Sequence, residues 1–214
     1  MKFSVKKMVT LAMMAAIAFI IVFIVRIPVV LFLKYEPKDV IITIGGFLFG
    51  PLEAFLISLV VSLVEMVSIS DTGPIGALMN LLSTCSFACV AALIYKRKRT
   101  LRGAACGLAL GSVAMIVVML LWNWLITPMY MQVPRSAVEG MLLPVFLPFN
   151  ALKAGLNSVL TVVLYKPLVT ALRKLGLVER RAHASEGSKL GFYLAAAAVL
   201  VSCVLGCLVM MGIL

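Results

Sequence analysis

Apolar residues run along this chain in stretches long enough to cross a bilayer, with short polar segments between them. Met8 to Val25 is the first such run, and Lys2, Lys6 and Lys7 precede it. Ala16-Ile17-Ala18 matches a leader-cleavage pattern. The run continues unbroken past it to Val25, which predicts a retained membrane helix. Ala12 and Ala16, four residues apart with Ala15 beside them, form a small-residue stripe that lets another helix approach closely. Packing within the same chain is the ordinary use of such a stripe.

Residues 40–69 are apolar throughout, and a straight span needs only about 20 residues. Gly45-Gly46 and Gly50-Pro51 interrupt them. The pattern predicts a short helix, Val40 to Phe49, and a full one, Leu52 to Ile69, joined at a Gly-Pro turn. A ten-residue helix reaches only about 15 Å, so protein must shield it at one end. Further spans are predicted at Ile75 to Tyr95, at Gly103 to Ile126, and from Pro144 to about Leu172. A last apolar helix covers Leu190 to Leu214. Between them lie the turn Ser70-Asp71-Thr72-Gly73-Pro74, the basic loop Lys96 to Arg102, a polar loop from Thr127 to Gly140, and a basic linker over residues 173–189. Residues 26–39, RIPVVLFLKYEPKD, break the pattern with Pro28 and Pro37. Their many apolar side chains predict a connector folded back over the protein.

One span departs from uniform apolarity. Asn150, Lys153, Asn157 and Thr161 stand at i, i+3, i+7 and i+11 in PVFLPFNALKAGLNSVLTVVLYK, and so share one helix face. Such residues are costly in a bilayer unless something polar meets them. Interhelical glue, worth about 0.6 kcal/mol per contact, and a polar ligand are both open readings. The same choice applies to Asn80, which stands four residues before Thr84.

Composition places the chain firmly in the membrane class. The 214 residues are 64% hydrophobic, and mean hydropathy is +1.17. In a soluble chain a net charge of +11 would suggest nucleic acid. Here Lys and Arg cluster between apolar runs, as cytoplasmic loops require. With the N-terminus in the cytoplasm, fourteen Lys and Arg fall inside and four outside (Arg26, Lys34, Lys38, Arg135), provided 40–69 holds two spans. That topology puts the Asn123 end, the Asn150 end and the 26–39 loop together on the outer side.

A carboxamide offers a donor and an acceptor in one plane, and lysine adds donors. Together they suit a flat heterocycle whose edge alternates carbonyls with N–H. Trp122, Trp124 and Tyr130 offer faces for stacking, although tryptophans there also fit an interfacial belt. Cys85/Cys89 and Cys203/Cys207 have i, i+4 spacing. Small residues packed between membrane helices explain them without a metal, and His183 sits in the polar linker. An intramembrane enzyme built on Glu65, Lys153 or a cysteine lacks any acid/base pair or nucleophile–base spacing. No Walker motif is present.

Four motifs in order, LKYEPKDV, IGGFLFGPLEA, WNWLITPMYM and LPFNALKAGLNS, resemble riboflavin-specific substrate-binding (S) components of energy-coupling factor (ECF) transporters. The resemblance covers roughly residues 5–172. It implies an all-α integral membrane protein with a six-helix bundle over residues 1–172, a membrane location in a prokaryotic cell, and no catalysis. It implies riboflavin as transported substrate rather than cofactor, and leaves open whether flavin mononucleotide is carried too. Another vitamin would be the neighbouring specificity. The implied partners are a transmembrane coupling subunit, for which Ala12 and Ala16 match the contact motif, and two cytoplasmic ATPases. Asn150 and Lys153 match positions that hydrogen-bond the flavin ring edge, and Asn123 matches a third. The capping loop matches residues 29–39 and brings in Tyr35. Asn157, Trp124 and Asn80 join the candidates from helical phase, aromatic character and position. The linker at 173–189 and the helix at 190–214 extend beyond the family's six spans and predict a seventh.

Overall fold

A computed structural model describes residues 5–178 and 189–210. Helix α1 covers Val5–Ile24. A hairpin follows, with β1 at Ile27–Val30 antiparallel to β2 at Leu33–Tyr35. Then come α2 at Lys38–Phe49, α3 at Pro51–Ser68, α4 at Gly73–Arg97 and α5 at Leu101–Met131. Short α6, Arg135–Met141, runs through a π-helical turn at Leu142–Phe146 into α7, Leu147–Lys174. Helix α8 covers Lys189–Met210. Among the described residues, five helical stretches are long and apolar enough to cross a membrane: α1, α3, α4, α5 and the continuous segment Arg135–Lys174.

The predicted break at Gly50-Pro51 is present, and its cause is local. Gly50 has φ 129° and ψ 175°, a region essentially reserved for glycine. Pro51 then starts α3 at the one turn of a helix where its missing N–H costs nothing. The short helix that results is the centre of the bundle. Every residue of α2 from Lys38 to Phe47 is buried, with α1, α3, α4 and α7 packed around it. Gly46 permits that closeness, because a Cβ there would lie 2.8 Å from the Ala92 Cβ and 3.0 Å from the Ala54 Cβ. Large apolar side chains such as Phe23, Val67, Leu121 and Val163 point outward instead, as lipid-facing residues of a membrane bundle do.

Two expectations need correction. The segment Thr127 to Gly140 is not a loop. Helix α5 continues through Pro128 to Met131, and α6 begins at Arg135. Proline is tolerated in such helices when neighbouring groups take up the freed backbone carbonyl, and α5 stops only where Gln132 turns left-handed at φ 56°. The 26–39 connector folds back over the protein as expected, but as a hairpin. Its register shifts between Pro28 and Val30, and Leu31 takes φ 51° at the turn. That turn sets Phe32 edge-on against Tyr130, with ring centroids 5.4 Å apart.

The predicted linker falls mostly outside the described residues, as does His183. Helix α8 packs on α7: a Cβ on Gly155 would lie 2.5 Å from Cys203 Sγ. Cys203 and Cys207 join the cluster formed by Val29, Leu33, Tyr35, Leu152 and Leu156.

Candidate functional site

Under the hairpin lies a cavity of ≈ 200 Å³. The hairpin contributes Arg26, Phe32, Leu33, Lys34 and Glu36 to its walls, and the α3–α4 connection contributes Asp71 and Thr72. Helix α4 adds Met79, Asn80 and Ser83, α5 adds Met119 and Tyr130, and α7 adds Phe149, Asn150 and Lys153. The volume is below the roughly 300–1,000 Å³ usual for ligand pockets, so a ligand larger than a few rings must push the hairpin outward.

Ion pairs tie the hairpin down at the mouth. Arg26 Nε donates to Glu36 Oε1 at 2.8 Å and Arg26 Nη1 donates to the Ile69 carbonyl at 2.5 Å. Lys34 bonds Asp71, which also lies 3.9 Å from Arg26 Nη1. Asp71 is exposed, and the hydrogen bond from Lys34, with the charges of Lys34 and Arg26, holds its carboxyl below the usual range. Burial alone would raise the Glu36 carboxyl. The charges of Lys38 and Lys153, the close approach of Lys38 and the hydrogen bond from Arg26 override burial and bring it down to about 2.

Deeper, the chain buries more charge. Lys38 is 1% exposed. Its Nζ donates to Glu65, at 2.6 Å to Oε1, and lies 2.9 Å from Glu36 Oε2. That last contact rests on charge, since Oε2 takes no well-directed hydrogen bond. Lys153 forms the floor, with Nζ 3.4 Å from Asp39 Oδ2 and 3.5 Å from Ser83 Oγ. Asp39, fully buried, accepts from Thr84 Oγ1 at 2.6 Å and from Asn157 Nδ2 at 3.0 Å. Tyr35 OH donates to Asn157 Oδ1 at 3.2 Å, and burial, with the Asp39 charge, raises the phenol well above its ordinary range. Unpaired, these charges would be prohibitively costly in a bilayer protein. Paired, they hold a polar floor rigid.

The structure separates the candidate residues into three groups. Asn150, Lys153 and Asn80 line the cavity. Asn150 Nδ2 is committed to the Phe146 carbonyl at 2.7 Å, and Asn80 Nδ2 lies 3.3 Å from Glu65 Oε2. Asn157 and Tyr35 sit behind the floor, bonded to each other, and Thr161 bonds the Asn157 carbonyl within its own helix. Asn123 and Trp124 lie off the cavity walls. Asn123 bonds the Met119 carbonyl and accepts from Thr127, while Trp124 donates to Glu139 and carries Arg135 over its ring at 4.8 Å. Sequence reasoning missed Arg26, Lys34, Glu36 and Asp71 as wall residues. Their signal was four charges in or beside a loop expected to cover the protein. Ala12 and Ala16 are exposed on the outer face of α1.

A family model described as "ECF transporter, substrate-specific component" matches residues 6–165, which contain every residue of the cavity wall. "Riboflavin transporter RibU" of Staphylococcus aureus (strain TCH60) is 28% identical over 180 residues, covering 79% of this chain and 94% of the relative. "Riboflavin transporter FmnP" of Bacillus subtilis (strain 168) is 29% identical over 171 residues, covering 74% of this chain and 88% of the relative. Among solved structures, the S component of a bacterial ECF transporter superposes with a TM-score of 0.65 at 30% identity, covering 77% of this chain and 96% of that one. Helix α8 lies beyond the matched family segment.

Proposed function

This chain belongs to the substrate-specific components of ECF transporters, and on that footing we propose that it is the riboflavin-binding membrane subunit of such a transporter. It is a multi-pass membrane protein whose work is capture rather than catalysis. One observation carries the reading: Asn150 and Lys153 lie together on the wall of a cavity that a hairpin covers. The Lys153 ammonium offers hydrogen-bond donors, and the Asn150 Oδ1 takes no hydrogen bond from the described residues. A flavin ring edge of alternating carbonyls and N–H meets both needs. Phe32, Tyr130, Phe149, Met79 and Met119 supply apolar and aromatic walls for the rest of the ring. The two riboflavin transporters among its relatives support the same ligand.

Capture begins when the hairpin swings away from Asp71 and admits the ligand. Lys153, already held by Asp39 and Ser83, then meets the ring edge without being reorganised. Ala12 and Ala16, exposed on α1, are the surface for the coupling subunit, and two ATPases behind that subunit supply the energy. The N-terminus lies in the cytoplasm of a prokaryotic cell by the distribution of Lys and Arg, which puts the hairpin and cavity on the outer side. Asn157 and Tyr35 act from behind the floor, Asn80 from the wall, and Asn123 and Trp124 by shaping the outer ends of α5 and α6.

The experiment is a titration of detergent-purified protein with riboflavin, read by quenching of flavin fluorescence. Saturable quenching at micromolar riboflavin or below is the expected result. Folded protein that quenches nothing at that concentration overturns the proposal.

A further inference from the structure

The charges around the cavity balance. Four cations, Arg26, Lys34, Lys38 and Lys153, and four carboxylates, Glu36, Asp39, Glu65 and Asp71, line it or bond a residue that does, Glu65 through Asn80. A neutral ligand leaves that balance intact. A ligand with a phosphate at its far end adds about two negative charges at neutral pH. If the flavin edge lies on Asn150 and Lys153, the end of its sugar-alcohol tail extends toward the mouth. There the side chain of Asp71 is 69% exposed, whereas that of Lys153 is 5% exposed. Arg26 and Lys34 stand at the same mouth and would attract a phosphate, but Asp71 already bonds Lys34, and Arg26, 3.9 Å from Asp71, is committed to Glu36 and the Ile69 carbonyl.

We propose that Asp71 makes this site selective for the uncharged vitamin over its phosphorylated form, by holding Lys34 and setting a negative charge, beside Arg26, where the phosphate would arrive. The inference rests on the flavin reading. It assigns Asp71 a second effect besides closing the hairpin, and the two are separable. A weaker latch affects riboflavin and flavin mononucleotide alike, whereas lost selectivity changes the ratio of their dissociation constants.

The test measures both dissociation constants by flavin fluorescence in the full-length protein and in Asp71→Asn, Asp71→Glu and Asp71→Asn/Lys34→Gln. Wild type should bind riboflavin more tightly than flavin mononucleotide. In Asp71→Asn that preference should fall several-fold, the scale of one removed like charge at an exposed, screened site. Asp71→Glu should keep the wild-type ratio, and removing Lys34 as well should cancel most of the gain. Raising salt should shrink the difference between wild type and Asp71→Asn, because the mouth is open to solvent. An unchanged ratio in Asp71→Asn overturns the proposal, as does a wild-type protein that binds both flavins equally. If wild type binds no riboflavin, the functional reading falls first and takes this inference with it.

Discussion

Lys153→Met separates a ligand contact from a structural ion pair. The ammonium lies 3.4 Å from Asp39 Oδ2 and the lysine is buried, so methionine fills the space but leaves a buried carboxylate without its cation. Removing one partner of a buried pair costs about 3–5 kcal/mol. Asp39 keeps hydrogen bonds from Thr84 and Asn157, and the pair is loose, which puts the cost near the lower end. Binding should weaken separately. A hydrogen bond from a charged donor is worth about 1.5–3 kcal/mol, or roughly 10- to 150-fold in the dissociation constant. The double variant Asp39→Asn/Lys153→Met removes both charges and keeps an acceptor for Thr84. It should recover most of the stability and none of the affinity. Thermal unfolding in detergent reads the first quantity and riboflavin quenching the second. If Lys153→Met binds riboflavin within about twofold of wild type, less than one charged hydrogen bond, Lys153 does not touch the ligand. If the double variant is no more stable than the single one, the ion-pair account of Asp39 is wrong.

Three further outcomes follow from other parts of the chain. Gly50→Ala should destabilise the bundle by about 1–3 kcal/mol, because φ is 129° and the new Cβ would lie 2.8 Å from Glu53 Oε2; an unchanged unfolding midpoint refutes the strain argument. Glu36 sits at about 2 against an ordinary 4.5, so its contribution to hairpin closure is full above about pH 4.5 and fades as pH falls toward 2. Protease protection of residues 26–37, followed by mass spectrometry, should therefore hold from neutral pH to about 5 and decline only below, in a way that Glu36→Gln abolishes. Ala12→Leu/Ala16→Leu places bulk on an exposed face of α1 away from the cavity; riboflavin binding should persist while uptake by the assembled transporter drops at least several-fold, and unaffected uptake would remove these residues from the interface.

The stripe on α7 was legible, but its division of labour was not. Helical phase puts Asn150, Lys153, Asn157 and Thr161 on one face, and all four are buried. Phase cannot say that the first two reach the cavity while Asn157 turns to Tyr35 and Asp39, partners more than a hundred residues away. The Gly50 break was legible because an apolar run that is too long must be cut somewhere, and of its two interruptions only Gly50-Pro51 adds a proline that cannot continue the helix before it; Gly45-Gly46 stays inside α2. The hairpin was not, because strands of four and three residues are too short for alternation to register. The polar segment from Thr127 was misread as a loop for a different reason: between neighbouring membrane helices α5 carries Pro128 without ending, whereas Pro134 does stand outside a helix, just before α6.

The break and the site are one construction. Because Gly50 ends α2 after twelve residues, that helix is only about 18 Å long, short of a hydrocarbon core of about 30 Å, and completes its crossing only with the segment that leads down into it. Its N-terminus therefore lies within the protein, and the first two residues there are Lys38 and Asp39, 1% and 0% exposed. Asp39 in the first turn is favoured by the helix dipole, and it points its carboxylate at Lys153. Lys38 joins Glu36 of the hairpin to Glu65 of α3. A full-length span in place of α2 would carry those charges out to solvent, where they would hold nothing. A short helix ending in charge brings the hairpin, α3, α4 and α7 to one polar point, and that point is the floor of the cavity.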